Sequence, residues 1–176
     1  MNPDAPPPFP SNIHATLEDP MWDAIKLFTT LKISYALIGG VAAMIYGHAR
    51  FSEDIDFVAV ANHQEILATN PDVMRACNFD ASSTWKLYHS SGLDVDIWKD
   101  EHSDAIVARA KTVRLGNRDV CIADEHDLIA MKLRANRPHD DGDIFAILKH
   151  KPIDETLLRS RVTPEQFAHY LSIKAR

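Results

Sequence analysis

Apolar and polar positions follow one another along this chain in short, readable blocks. Residues 35–38 form an apolar run that stops at Gly39-Gly40. A short helical piece is expected over 41–46, then a polar link over 47–53. Asp54-Ile55-Asp56 follows and leads into a second apolar run at 57–60. Near residue 95 the alternation is strict. Leu93, Val95 and Ile97 share one face of a strand and Asp94 and Asp96 the other, because successive strand side chains point to opposite faces.

The flanking pattern predicts helices around these strands. Residues 16–31 carry an apolar stripe of Trp22, Ile25, Leu27 and Phe28, with Thr16 or Asp19 as cap and Pro20 in the first turn. Strand is expected from 33 to 38. Two short helices, 62–68 and 72–76, are separated by Asn70-Pro71. A weak strand at 84–88 pairs in a hairpin with the Asp94/Asp96 strand, and its register decides which acid faces a site. Gly116-Asn117 between 112–115 and 118–122 is a two-residue hairpin signal. Asp124 caps a helix to about residue 136. A further helix spans 140–150, and Thr163 with Pro164 opens a last one that ends at 174.

Composition narrows the class. Of the 176 residues, 45% are hydrophobic and 25% charged, enough apolar material for one globular domain. A net charge of −6 argues against a global basic field that would draw nucleic acid. Arg109, Lys111, Arg114 and Arg118 form an acid-free basic stretch. They are either a solvated face or a groove for acceptor phosphates. The two cysteines, Cys77 and Cys121, have no metal or disulfide spacing and read as reduced thiols of a cytoplasmic protein. No segment has the length and apolarity of a membrane span or signal peptide. Residues 1–15 read as a Pro-rich disordered tail, 16–150 as the main domain, and 151–176 as a helical appendage packed on it.

The chemistry concentrates around the glycines and the acids. Gly39-Gly40 lets a ligand approach the main chain, and the helix that follows offers free N–H groups to an anion. Asp54 and Asp56 share a face. Paired carboxylates repel each other unless a cation lies between them, and Mg²⁺ favours such oxygen ligands. The pair is either a solvated strand start or a metal site. A second acid-bearing strand beside it would converge three or four carboxylates, enough for two divalent ions that clamp an in-line phosphoryl transfer.

In order and spacing, Gly39-Gly40, Arg50, Ser52, Asp54-Ile55-Asp56, Val95-Asp96-Ile97 and the segment from Asp124 through Lys132 to Arg137, Asp140 and Asp143 resemble the polymerase-β-type nucleotidyltransferase superfamily. More narrowly they resemble the small bacterial nucleotidyltransferase toxins of the AbiEii and MenT type, over residues 33–148. The resemblance implies an α+β fold: a small, mostly antiparallel or mixed sheet flanked by helices, with C-terminal helices. It implies Mg²⁺ ions on Asp54, Asp56 and Asp96 and an NTP, ATP among them, whose phosphates lie on Gly39 and Gly40. It also implies Lys132 and Arg50 at the triphosphate, Ser52 at a phosphate or metal-bound water, and Asp140 and Asp143 supporting the basic residue or the nucleotide. Val41 stands where many catalytic relatives carry Ser. The third acid is Asp94 or Asp96; the flanking aliphatic residues favour Asp96.

The resemblance favours tRNA as the acceptor, with a cognate antitoxin protein as partner, as in the toxin relatives; the alternatives are a protein side chain or a small hydroxylated antibiotic. A basic groove at 109–118 would favour RNA, and an acidic, aromatic-lined pocket a cationic small molecule. A non-catalytic nucleotide-binding or partner-binding module on the same fold is the competing class. His139-Asp140 lacks the companion histidines that HD-type phosphohydrolase chemistry needs.

Overall fold

Residues 15–48, 52 and 54–176 are described by the structure, a computed structural model, with side chains from residue 19 onward. Arg50 and nearly all of the expected tail lie outside the described residues. Six strands form one mixed sheet: β1 Tyr35–Ile38, β2 Ile55–Ala59, β3 Lys86–Tyr88, β4 Asp94–Trp98, β5 Lys111–Leu115 and β6 Arg118–Ile122, in the order β3-β4-β2-β1-β6-β5. β1 pairs antiparallel with β2 and parallel with β6, while β2 and β4 are parallel. β3 and β5 close the edges as hairpin partners of β4 and β6. This is the mixed sheet with flanking helices that the sequence predicts.

The two apolar runs that bracket the glycines become β1 and β2 because nearly every side chain in them is buried. Phe57 packs edge-on against Phe28 of helix α1 (Ala15–Thr30) and against Tyr35, at ring-centre distances of 5.2 and 5.5 Å. Full burial of a side chain of that size contributes roughly 1.5–3 kcal/mol. Phe57 is therefore held to the core, and its neighbour Asp56 must point the other way.

Helix α2 (Gly39–Ile45) starts at the glycine pair itself, two residues earlier than the pattern predicts. The chain crosses from β2 to the parallel β4 through α3 (His63–Ala68), α4 (Pro71–Ala76) and β3. After α5 (Ser103–Arg109), a helix not anticipated from the sequence, and the β5–β6 hairpin, α6 (Glu125–Ala135) and α7 (Asp140–His150) pack against each other and against α2. Asp124 caps α6 by accepting the Asp127 N–H at 2.7 Å, and Asn136 ends it in the left-handed conformation. α8 (Glu155–Arg159) and α9 (Pro164–Lys174) pack on α6 and α7; α9 carries the expected Thr163 cap. Pro20 is not in a first turn: α1 begins at Ala15 and runs through it. Burial of Met21, Ala24, Leu27 and Phe28 sustains the helix despite the missing donor. Among the described residues no helix is long and apolar enough to cross a membrane.

Candidate active site

Register brings the acids together. Asp56 on β2 lies between Ile38 on β1 and Asp96 on β4. Asp54, exposed, precedes β2, and the Ser52 hydroxyl donates to its main-chain carbonyl at 3.0 Å. Ser52 thus shapes the turn that carries Asp54. Burial raises the Asp56 carboxyl above its ordinary value; the Trp98 indole N–H opposes this, and the charges of Asp96 and Asp54 add to it. Asp96 is also raised, by burial first. Lys86 counteracts the rise, and Asp54 and Asp94 add to it. Asp94 shares the face of Asp96, but only Asp96 is in register with Asp56.

Gly39 fixes the geometry of Asp56. Its φ of +69° lies in the region that favours glycine, and a Cβ there would stand 2.1 Å from Oδ2 of Asp56. The other oxygen, Oδ1, accepts the Trp98 Nε1–H at 3.0 Å. One carboxylate is thus held by a packing contact on one side and a hydrogen bond on the other. The turn that the sequence offers as a phosphate cradle also serves to seat this acid. Val41, two residues on, is buried in the core and presents nothing to the site.

Between this corner and α6 lies a cleft of about 340 Å³, lined by Gly39, Asp56, Trp98, Met131, Lys132 and Arg137 among others. Lys132 borders it, but its ammonium is buried on Asp143 and lies 3.5 Å from Asp140. His48 Nδ1 is 2.6 Å from the other Asp143 oxygen. Burial pushes Asp140 up, but the side-chain and backbone hydrogen bonds from Arg137 and the Lys132 charge outweigh it and hold the carboxyl low. His139, Asp140 and Asp143 are spaced for a metal ion, yet their carboxylates already hold Lys132 and Arg137. Arg137, half exposed and close enough for its charge to act on Asp56, presents its positive charge to the cleft more openly than Lys132 does.

The residues around Asp54, Asp56 and Asp96 suit a hard divalent ion. Asp56 and Asp96 are neighbours in register, the charge of Asp54 helps raise both carboxyls, and at Asp56 the Trp98 N–H and the Arg137 charge act in the opposite sense.

On the far side of Trp98 lies a second hollow of about 350 Å³, lined by Gln64, Trp85, Lys86, Asp96, Ile97, Trp98 and Lys99. Trp85 and Trp98 are 61% and 54% exposed, unusual for rings of this size. Trp98 was legible in principle: it lies two residues beyond Asp96, hence on the same face. Lys86 and Trp85 became recognisable only once β3 paired with β4.

The basic stretch has a different place. Arg109 makes a two-pronged ion pair with Asp127, Lys111 binds Glu125, Arg114 binds Asp119, and Arg118 stacks over Trp22. β5 and β6 end the sheet on the side away from β4, so Lys111, Arg114 and Arg118 lie apart from Asp56 and Asp96; Arg109, Lys111 and Arg114 are held by acids of their own and Arg118 by a ring.

No protein-family model matches the sequence, and no curated protein does. Solved structures do. An antigenic nucleotidyltransferase-like protein from Paracoccidioides brasiliensis superposes with a TM-score of 0.58 at 16% identity, over 89% of this chain and 85% of its own. The lincosamide antibiotic adenylyltransferase LnuA, in its lincomycin-bound form, gives 0.55 at 16%, over 80% of this chain and 100% of its own. The fold is that of the nucleotidyltransferases.

Proposed function

We propose that this chain is a nucleotidyltransferase that moves a nucleoside monophosphate from an NTP to a hydroxyl of an aminated small molecule. The observation that carries the reading is the in-register pair Asp56 and Asp96, with Asp54 beside it and Gly39 packed on the Asp56 carboxylate. Asp54, Asp56 and Asp96 would hold the divalent ion or ions. A bound ion supplies charge neutralisation at the triphosphate and makes the acceptor hydroxyl more acidic.

The chain's own residues do the rest. The cleft holds the triphosphate, with the Gly39-Gly40 main chain on one side and Arg137 on the other. Asp96, its proton affinity raised, accepts the hydroxyl proton as the acceptor oxygen bonds to the α-phosphorus. The bond from that phosphorus to the bridging oxygen breaks and pyrophosphate leaves. Arg137, and Arg50 if it lies where the resemblance implies, balance the leaving charge. Lys132 acts behind them by fixing Asp140, which positions Arg137. Most of the rate gain expected of such a site is positioning and electrostatic stabilisation.

Two observations support an aminated acceptor. The hollow next to Asp96 is walled by the exposed rings of Trp85 and Trp98, on which a cation of a ring-bearing molecule can stack, and its one acid, Asp96, is shared with Lys86, which with Lys99 also lines it. Of the basic residues that would have marked a tRNA groove, Arg109, Lys111 and Arg114 are ion-paired, and the β5–β6 hairpin lies on the side of the sheet away from β4. A tRNA acceptor with an antitoxin partner, as in the toxin-type proteins, is thereby the weaker branch.

The test is Mg²⁺-dependent transfer of label from each α-labelled NTP, with aminated hydroxyl compounds, bulk tRNA and the protein itself as acceptors. Asp54→Ala/Asp56→Ala serves as the control. Labelled small molecule that vanishes in the control supports the proposal, and labelled tRNA restores the toxin-type branch. Metal-dependent NTP binding without any transfer points to the non-catalytic module.

A further inference from the structure

Lys86 stands directly across from Asp96 in the antiparallel β3–β4 pair, so the two side chains share a face. Its ammonium lies 3.1 Å from an Asp94 oxygen and 3.8 Å from an Asp96 oxygen. Among the described residues no ion pair joins a lysine or arginine to Asp54 or Asp56; Asp56 has the Trp98 N–H at 3.0 Å and feels the Arg137 charge. The carboxylate cluster is therefore lopsided. Among the described residues its Asp54/Asp56 half has no ion pair, while its Asp94/Asp96 half has Lys86.

We propose that Lys86 is a built-in cation that competes with a divalent ion for Asp96. This rests on the metal-dependent reading above and refines it, since it makes loading of the site sequential. An ion takes Asp54 and Asp56 readily. Full engagement of Asp96 requires the Lys86 ammonium to leave. Lys86 also lines the Trp85/Trp98 hollow, so its departure is coupled to whatever enters there. An aminated acceptor would take over the place on Asp94 that Lys86 gives up, and acceptor entry would favour full metal loading.

The experiment is Mn²⁺ titration followed by the electron paramagnetic resonance signal of the free ion. The samples are wild type, Lys86→Met, Lys86→Gln, Lys86→Met/Asp96→Asn and Asp54→Asn/Asp56→Asn, each checked for cooperative thermal unfolding. Removal of a partly exposed counter-charge should tighten Mn²⁺ binding roughly three- to tenfold in both single Lys86 variants. The gain should vanish in Lys86→Met/Asp96→Asn. Two results overturn the proposal while leaving the metal-dependent reading intact: Lys86 variants that titrate like wild type, or a gain that persists without Asp96, when Asp54→Asn/Asp56→Asn abolishes binding. Wild type that binds no Mn²⁺ overturns both.

Discussion

Two acidic clusters lie on either side of one cleft, and they are built on opposite terms. Asp140 and Asp143 at the start of α7 are buried and hold Lys132 and Arg137. Asp54 and Asp56 at the start of β2 and Asp96 in the middle of β4 are more open, and among the described residues an ion pair with lysine is made by Asp96 and not by Asp54 or Asp56. The difference shows in their proton affinities: Asp140 is held below its ordinary value, whereas Asp56 and Asp96 are raised. A carboxylate that folds together with its own cation is part of the scaffold. Carboxylates crowded together without enough cations leave room for one from outside. That contrast assigns different work to groups that look alike in the sequence.

The largest expected effect breaks the scaffold half. Lys132→Ala leaves Asp143 buried without its ammonium and should cost about 3–5 kcal/mol of stability. Denaturant unfolding measures this directly, and the loss should be the same with and without Mg²⁺. A variant as stable as wild type would mean that the pair is not structural.

Asp56→Asn tests the other half. Transfer should fall by roughly 10²-fold or more, judged by what a single charge-stabilising group contributes in other enzymes. The fold should not suffer, because a repelling charge is removed. Loss of the Mg²⁺-induced rise in melting temperature is the accompanying readout.

Gly39→Ala should link the two readouts. The left-handed backbone costs an L-residue roughly 1–2 kcal/mol, and the new Cβ displaces the Asp56 carboxylate. Lower stability together with weaker metal binding is expected; a purely thermodynamic loss would separate the turn from the site.

A pH series sharpens the contrast. A carboxyl raised in the fold costs stability when ionised, and that cost is relieved as pH falls through its folded value toward the ordinary 3.8. Asp140, held low, does the opposite: its contribution is present above the ordinary value and is lost as pH falls through its depressed one. The stability advantage of Asp56→Asn over wild type should therefore be greatest at neutral pH and shrink on acidification. An advantage independent of pH would refute the raised proton affinity.

Trp98→Phe should have the smallest effect. It keeps the ring and removes one hydrogen bond to Asp56, for a loss in metal affinity of about 10-fold or less. Titration of Mn²⁺ binding measures it.

Local order carried much of this into view. The apolar runs around Gly39-Gly40, the alternation at 93–97, the Gly116-Asn117 hairpin and the Asp124 cap are all short-range patterns, and each appears in the structure where it was expected. The shared face of Asp94 and Asp96 also follows from alternation alone. Pairing between distant segments does not. That β4 lies parallel to β2 with Asp96 beside Asp56, that β3 delivers Lys86 to the same acids, and that α7 draws the Lys132 ammonium away from the surface all depend on contacts across many residues of chain. So does the neutralisation of the basic stretch, whose partners Asp127 and Glu125 sit on the next helix. The sequence by itself determined which side chains could bear charge on which face, because backbone geometry is local. Only the tertiary structure decided which of those charges meet a partner and which remain for a ligand, because Coulomb interaction and burial depend on distance in space.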